Sequence, residues 1–173
     1  SSDLEVMMYY IEAEIIFLIC FTLHNIEEAV WLPEWSKYAG RFHPQTGKNE
    51  FKFAVTVVTL SGYLITYAFW KWGSSNEIIR YLYLGFVMMM CFNAVFPHLT
   101  AAVVLKKYAP GLLTGIFLNL PVGLYVVFFS NPEHLELHKL ILGFAVYSGA
   151  TLLSLRPLFK IGRKDEAIAM SHR

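Results

Sequence analysis

Charge is scarce in this sequence. Asp, Glu, Lys and Arg make up only 16% of its 173 residues, whereas soluble globular domains carry about a quarter. Hydrophobic residues reach 56%, above the roughly 45–50% usual in water. The shortage of charge points to lipid rather than water as the main solvent. The formal net charge is +1, so the basic excess that nucleic-acid binding requires is missing. Cysteine is nearly absent too. Cys20 and Cys91 each sit inside an apolar run, which excludes a disulfide scaffold and predicts two small buried side chains. No repeat or low-complexity tract breaks the chain, and its length suits one bundle over residues 1–173 without a second domain.

What remains is apolar and long. A spanning helix needs roughly 20 mostly apolar residues, and five stretches qualify: 6–32, 51–72, 78–105, 110–129 and 137–159. The expected fold is therefore all-α, a five-helix transmembrane bundle. The first stretch is not expected to be a signal peptide. It carries Glu12, Glu14, His24, Glu27 and Glu28, with no basic lead-in and no small-residue cleavage site. The longest loop is 33–50, Ser130-Asn131-Pro132-Glu133 reads as a turn, and 160–173 reads as a charged cytoplasmic tail, a short surface helix or disordered. With five spans, eleven Lys and Arg fall on one side and three on the other. The positive side faces the cytoplasm, so the N-terminus is expected outside, the C-terminus inside, and the chain in the cell (inner) membrane.

Polar residues inside such a bundle are costly and so informative; a carboxylate at membrane depth costs roughly 2.5–3.5 kcal/mol. The first stretch contains His24-Asn25-Ile26-Glu27-Glu28. At about 100° per residue, Glu28 lies about 40° round from His24 on one side and Glu27 about 60° on the other. All three can address one neighbouring helix. A plainer reading places them at the interface, with Trp31 and Trp35 as an aromatic belt. The third stretch contains Asn93-Ala94-Val95-Phe96-Pro97-His98. Pro97 removes the donor for the carbonyl of Asn93. On an ideal helix Asn93 and His98 stand about 140° apart and converge only if a kink or π-bulge widens the turn. His24 and His98 lie at similar depths, roughly 10–12 Å from the same helix ends.

Other positions are weaker candidates. Gly111, Gly115, Asn119 and Gly123 recur every four residues, which marks a close helix-packing face and suggests a homodimer through Gly111 and Gly115. Asn119 and Thr59 are candidate supporting residues behind the site. Thr56, Thr59 and Tyr63 share a face suited to interhelical hydrogen bonds. Glu14 stands some 21 Å along the helix from Glu28, too far to share its surroundings with His24, and could line an entry path. Glu133, His134, Glu136 and His138 form an acidic-imidazole patch that reads as a solvated turn.

The paired motifs, His24-x-x-Glu27-Glu28 in a first span and Asn93-x-x-x-x-His98 in a later one, resemble the HXXEE family of small multi-spanning membrane proteins. The resemblance runs from the first span into the fourth. It implies that these five residues are the functional centre and supplies no reaction.

Three mechanisms fit the residues. In the first, His24, His98 and either Glu27 or Glu28 hold a divalent metal, zinc or iron. The spare Glu is then a general base and Asn93 orients the substrate, for hydrolase or oxidase chemistry on a lipid-like molecule. In the second, Glu28 and His24 exchange a proton with an isoprenoid or sterol-like substrate without metal, in a pocket lined by Phe21, Phe92 and Phe96. In the third, the chain is a proton- or cation-coupled carrier or a lipid-binding accessory subunit.

Overall fold

The computed structural model describes the backbone of every residue except 1, 41, 42, 44, 131–133, 172 and 173, and the side chains of 12–40, 43, 45–130 and 134–163. Five helical rods follow in chain order: α1 (Ser2–Trp35), α2 (Lys48–Trp72), α3 (Glu77–Leu105), α4 (Leu112–Phe128) and α5 (Leu137–Ser171). No strand occurs among the described residues. Arg41, Glu133 and most of the 130–133 turn lie outside them, as do the side chains of Lys164 and Arg173.

Among the described residues, four helical stretches are long and apolar enough to cross a membrane: Glu12–Trp35, Lys48–Trp72, Glu77–Leu105 and Leu137–Arg163. Leu112–Phe128 is apolar but shorter. It starts two residues later than the sequence suggests, because Gly111 turns into the left-handed region at φ +90° and cannot continue a helix. At its other end Phe129 leaves helical geometry at φ −125°, ψ −27°. α1 passes through Pro33 to Trp35. Proline removes a single ladder bond there, and Ser36 N–H still reaches the Leu32 carbonyl at 2.7 Å. α5 also outruns expectation, continuing through Pro157 to Ser171 rather than stopping at Phe159.

Capping follows local chemistry. The Asn76 side chain accepts from Ile79 N–H at the start of α3, and Glu50 in the first turn of α2 accepts from Gly47 N–H, meeting donors a helix start leaves open. Glu50 also takes Arg163 Nε at 2.7 Å, pinning the start of α2 to α5. α3 is the hub, packed on α2, α4 and α5. Its backbone touches that of α5 at Gly85 and Gly143, where a Cβ on Gly143 would fall 2.0 Å from the Tyr81 carbonyl oxygen. A Cβ on Gly85 would fall 2.2 Å from the Gly143 carbonyl carbon, so only paired glycines allow this backbone contact.

α1 faces α3 through side chains instead. The fully buried Phe17, Phe21 and Phe86 interlock edge-to-face at centroid distances of 5.6 and 5.0 Å, the geometry ring quadrupoles favour. Around this core the outer faces stay apolar: Ile15, Ile19, Leu23, Ile26 and Val30 form an exposed stripe down α1, and Leu60, Leu64 and Tyr67 another on α2. Apolar stripes this long are surfaces for lipid or protein, not for water.

Candidate functional site

The α1–α3 seam turns polar one helical turn beyond Phe21. His24 follows Phe21 on the same face and is completely buried. On α3 the regular helix ends at Asn93, and Ala94–Leu99 forms a π-helical segment in which Phe96 leaves helical geometry (φ −131°, ψ 118°). The wider turn brings Asn93 and His98 together, with Asn93 Nδ2 3.0 Å from His98 Nε2 and 3.1 Å from His24 Nε2. The two imidazoles meet edge-to-face at 5.2 Å. Glu28 Oε1 lies 2.9 Å from His98 Nε2 and 3.6 Å from His24 Nε2. Ligand atoms of His24, Glu28 and His98 all fall within 4.8 Å of one another. Among the described residues this is the sole group of three or more such side chains that could hold a cation.

Glu27 turns away from this group to meet the N-terminus of α4. Its carboxylate accepts from Gly111 N–H at 2.7 Å, Thr114 N–H at 3.1 Å, Thr114 Oγ1 at 2.6 Å and the Tyr108 hydroxyl. Helix N-termini leave N–H groups without partners, and no side chain at Ala109, Pro110 or Gly111 can cap this one. The acceptor therefore comes from another helix. Burial and the adjoining carboxylate push the Tyr108 phenol up to about 12, so it remains a donor.

Thr114 joins the two glutamates' roles. A carboxylate only accepts, so the Thr114 hydroxyl proton goes to Glu27. Its oxygen then accepts from His24 Nδ1, 3.1 Å away. That bond fixes the tautomer of a neutral imidazole and leaves Nε2 as a lone pair, which accepts from Asn93 Nδ2 3.1 Å away. Gly111 roofs the pair: a Cβ there would stand 2.7 Å from His98 Cε1 and 2.9 Å from His24 Cε1.

A family model described as a protein of unknown function with HXXEE motif matches residues 15–126. The chain belongs to this family. The matched stretch contains every residue of the polar cluster together with Tyr108, Gly111 and Thr114, and ends before α5. The chain is also similar to the uncharacterized protein YrkK of Bacillus subtilis (strain 168), 44% identical over 159 residues, covering 91% of this chain and 98% of that one. No solved structure matches.

The remaining candidates of the HXXEE chain divide clearly. Thr59 lies outside the cluster and accepts from Asn25 Nδ2 at 2.8 Å, tying α2 to α1. Tyr63 bonds Thr22 at 2.5 Å in the same seam. Glu14 accepts from the Trp70 indole at 2.5 Å, far from His24 along α1. Glu12 is exposed, and His138 pairs with Glu136 at 3.6 Å on the surface. Phe21 belongs to the aromatic core, while Phe92 and Phe96 point outward at 52% and 53% exposure, so the three do not line one pocket. Cys20 and Cys91 are free and buried. The Gly111/Gly115 face is taken up within the chain, Gly111 against the histidines and Gly115 against Ala94. Thr114 and Tyr108 escaped sequence reasoning. The signal that could have found them is the missing N-cap at 109–111.

Proposed function

We propose that this chain is an integral membrane protein of the inner membrane with five spans, its N-terminus outside, α4 being the short fourth span. In this reading His24, Glu28 and His98 bind one divalent cation, zinc or iron, in an enzyme of hydrolase or oxidase type acting on a lipid or other apolar substrate. The convergence of two imidazole nitrogens and one carboxylate oxygen within 4.8 Å carries the proposal. Zinc binds such atoms at about 2.0–2.2 Å, which places neighbouring ligands about 3–3.5 Å apart. The 2.9 and 3.6 Å edges around Glu28 Oε1 straddle that range. The His24–Thr114–Glu27 chain supports it further, since a metal-binding histidine commonly donates its other N–H to an orienting partner.

Each residue then has a role. A bound cation would polarise a substrate carbonyl or water. Both imidazole contacts use Oε1 of Glu28, which leaves Oε2 to take up a proton. Asn93 orients the substrate beside the histidines. Glu27 is a positioning residue, because it acts on the site through Thr114 and the α4 N-terminus.

One observation favours a second reading, metal-free acid–base catalysis on the same class of substrate. The 2.9 Å His98–Glu28 contact is also the distance of a proton-exchanging hydrogen bond. The carrier reading has less support: Phe17, Phe21, Phe86 and Val87, all fully buried, fill the seam between Glu14 and His24, leaving no polar route. Elemental analysis of chelator-free, detergent-purified protein tests the metal. About one zinc or iron per chain is expected, lost in both His24→Ala and His98→Ala; wild-type protein without stoichiometric metal sinks the reading.

A further inference from the structure

Asn119 is the one described residue whose side chain has two buried polar atoms without any partner. Its Nδ2 and Oδ1 are both unpaired, and the residue has no exposed surface. A buried amide ordinarily finds partners, and leaving one unpaired costs about 1–3 kcal/mol. The fold bears this cost at Asn119 unless an occupant completes the bonding.

The position of Asn119 indicates what that occupant meets. Gly111, Gly115, Asn119 and Gly123 share a face of α4 that packs stepwise on α3. Gly111 stands against His98, Gly115 against Ala94, and Gly123 against Cys91 and Val87. The Asn119 carbonyl belongs to the same ladder, accepting from Cys91 Sγ at 3.7 Å. On α1 the corresponding neighbours are His24 beside Gly115 and Phe17 beside Gly123. Asn119 therefore lies one turn deeper than His24, between its level and that of the aromatic core. Gly115 and Ala94 place no long side chain between the two levels. The π-helical segment Gly115–Asn119 ends on this residue.

We propose that Asn119 is the polar anchor of a ligand site continuous with the His24–Glu28–His98 cluster, and that it receives the uncharged head of an amphiphile, a hydroxyl or carbonyl on a long apolar chain. The amide offers one donor group and one acceptor, a match for such a head. The ladder and core around it, Cys91, Ala94, Phe17 and Val87, are uncharged. The proposed cation lies one level away, where Glu28 already pairs it, so an ionic head at Asn119 itself would be buried without a partner, which is very costly. The wall of α3 is interrupted at Phe96 and flanked by exposed Val95 and Leu99, and this is where the apolar chain would leave the bundle. This inference rests on the enzymatic reading and names its substrate class.

The test is photolabelling with hexadecanol carrying a diazirine on its chain, applied to wild type, Asn119→Ala and Asn119→Val in detergent. Melting temperature and metal content are measured on the same samples. Labelling of wild type is expected to be competed by excess hexadecanol and not by hexadecyl phosphate. It should fall at least tenfold in both variants, while their metal contents match wild type and their melting temperatures do not fall. Unchanged labelling in the variants, or competition by the phosphate alone, overturns the proposal. So does a melting temperature lowered by several degrees in both variants, which would mean that the amide serves a structural water. Wild type that contains no metal but labels in an Asn119-dependent way removes the metalloenzyme reading and keeps the anchor.

Discussion

The α1–α3 seam is built twice, in two chemistries. Toward the α3 N-terminus, Phe17 and Phe21 interlock with Phe86 between regular helices. Toward the α3 C-terminus, His24 and Glu28 meet Asn93 and His98, and here both α3 and α4 are π-helical. An aromatic ring tolerates many approach angles, so ordinary helices suffice for the first half. Four polar atoms converging within hydrogen-bond distance need their directions set individually. A 3.6-residue turn puts positions five apart on different faces, and the π-turn is what gathers them. The aromatic half holds a carboxylate too, but Glu14 meets a single indole donor and gathers no imidazole.

That contrast predicts separable effects. Phe86→Ala should be the most damaging, costing about 3–5 kcal/mol of stability, read as a large fall in melting temperature in detergent. Whatever fraction still folds should bind metal as wild type does; loss of metal affinity in folded protein would show that the halves are coupled. Gly111→Ala should reverse the pattern. The left-handed backbone there costs an L-residue about 1–2 kcal/mol, and the new methyl presses on both imidazoles. Metal occupancy should drop below half while the helical circular dichroism signal persists.

Glu27→Gln sharpens the distinction between holding a metal and orienting its ligands. It keeps the shape of the side chain but weakens the Thr114 tether on His24. Metal affinity should fall about 10–100-fold with stoichiometry recoverable at high metal, whereas Glu28→Gln should not be rescued. Equal behaviour of the two would remove the assignment of Glu27 as a positioning residue. The smallest effect belongs to Asn25→Ala, which deletes one interhelical hydrogen bond to Thr59. Such bonds average about 0.6 kcal/mol in membrane bundles, and melting should shift only slightly with no change in metal content.

Much of this was legible in the residues. His24, Glu27, Glu28, Asn93 and His98 declared themselves because polar groups are costly in an apolar run, and Pro97 identified where the helix had to break. The i, i+4 spacing put Glu28 on the His24 face, and the four-residue glycine stripe announced a close-packed helix. Which of Glu27 and Glu28 joins the histidines was ambiguous. Both have modest angular offsets from His24, and nothing local says that an uncapped helix start 84 residues after Glu27 requires its carboxylate. Thr114 and Tyr108 were hidden for the same reason, since their importance comes from a partner distant in sequence. The extent of α1 was underestimated because proline near a helix end removes one bond without ending the helix, and that of α5 because a helix continues past the point where its sequence turns from apolar to charged.

The sequence by itself determined an all-helical chain of apolar rods with its scarce polar residues gathered on α1 and α3, because hydrophobic length and periodicity are properties of neighbouring residues. Tertiary structure alone decided which glutamate joins the histidines, which one caps α4, and that Asn119 ends without a partner. Those outcomes depend on the rotation and spacing of packed helices, and rotation is set by side chains that meet only after the chain has folded.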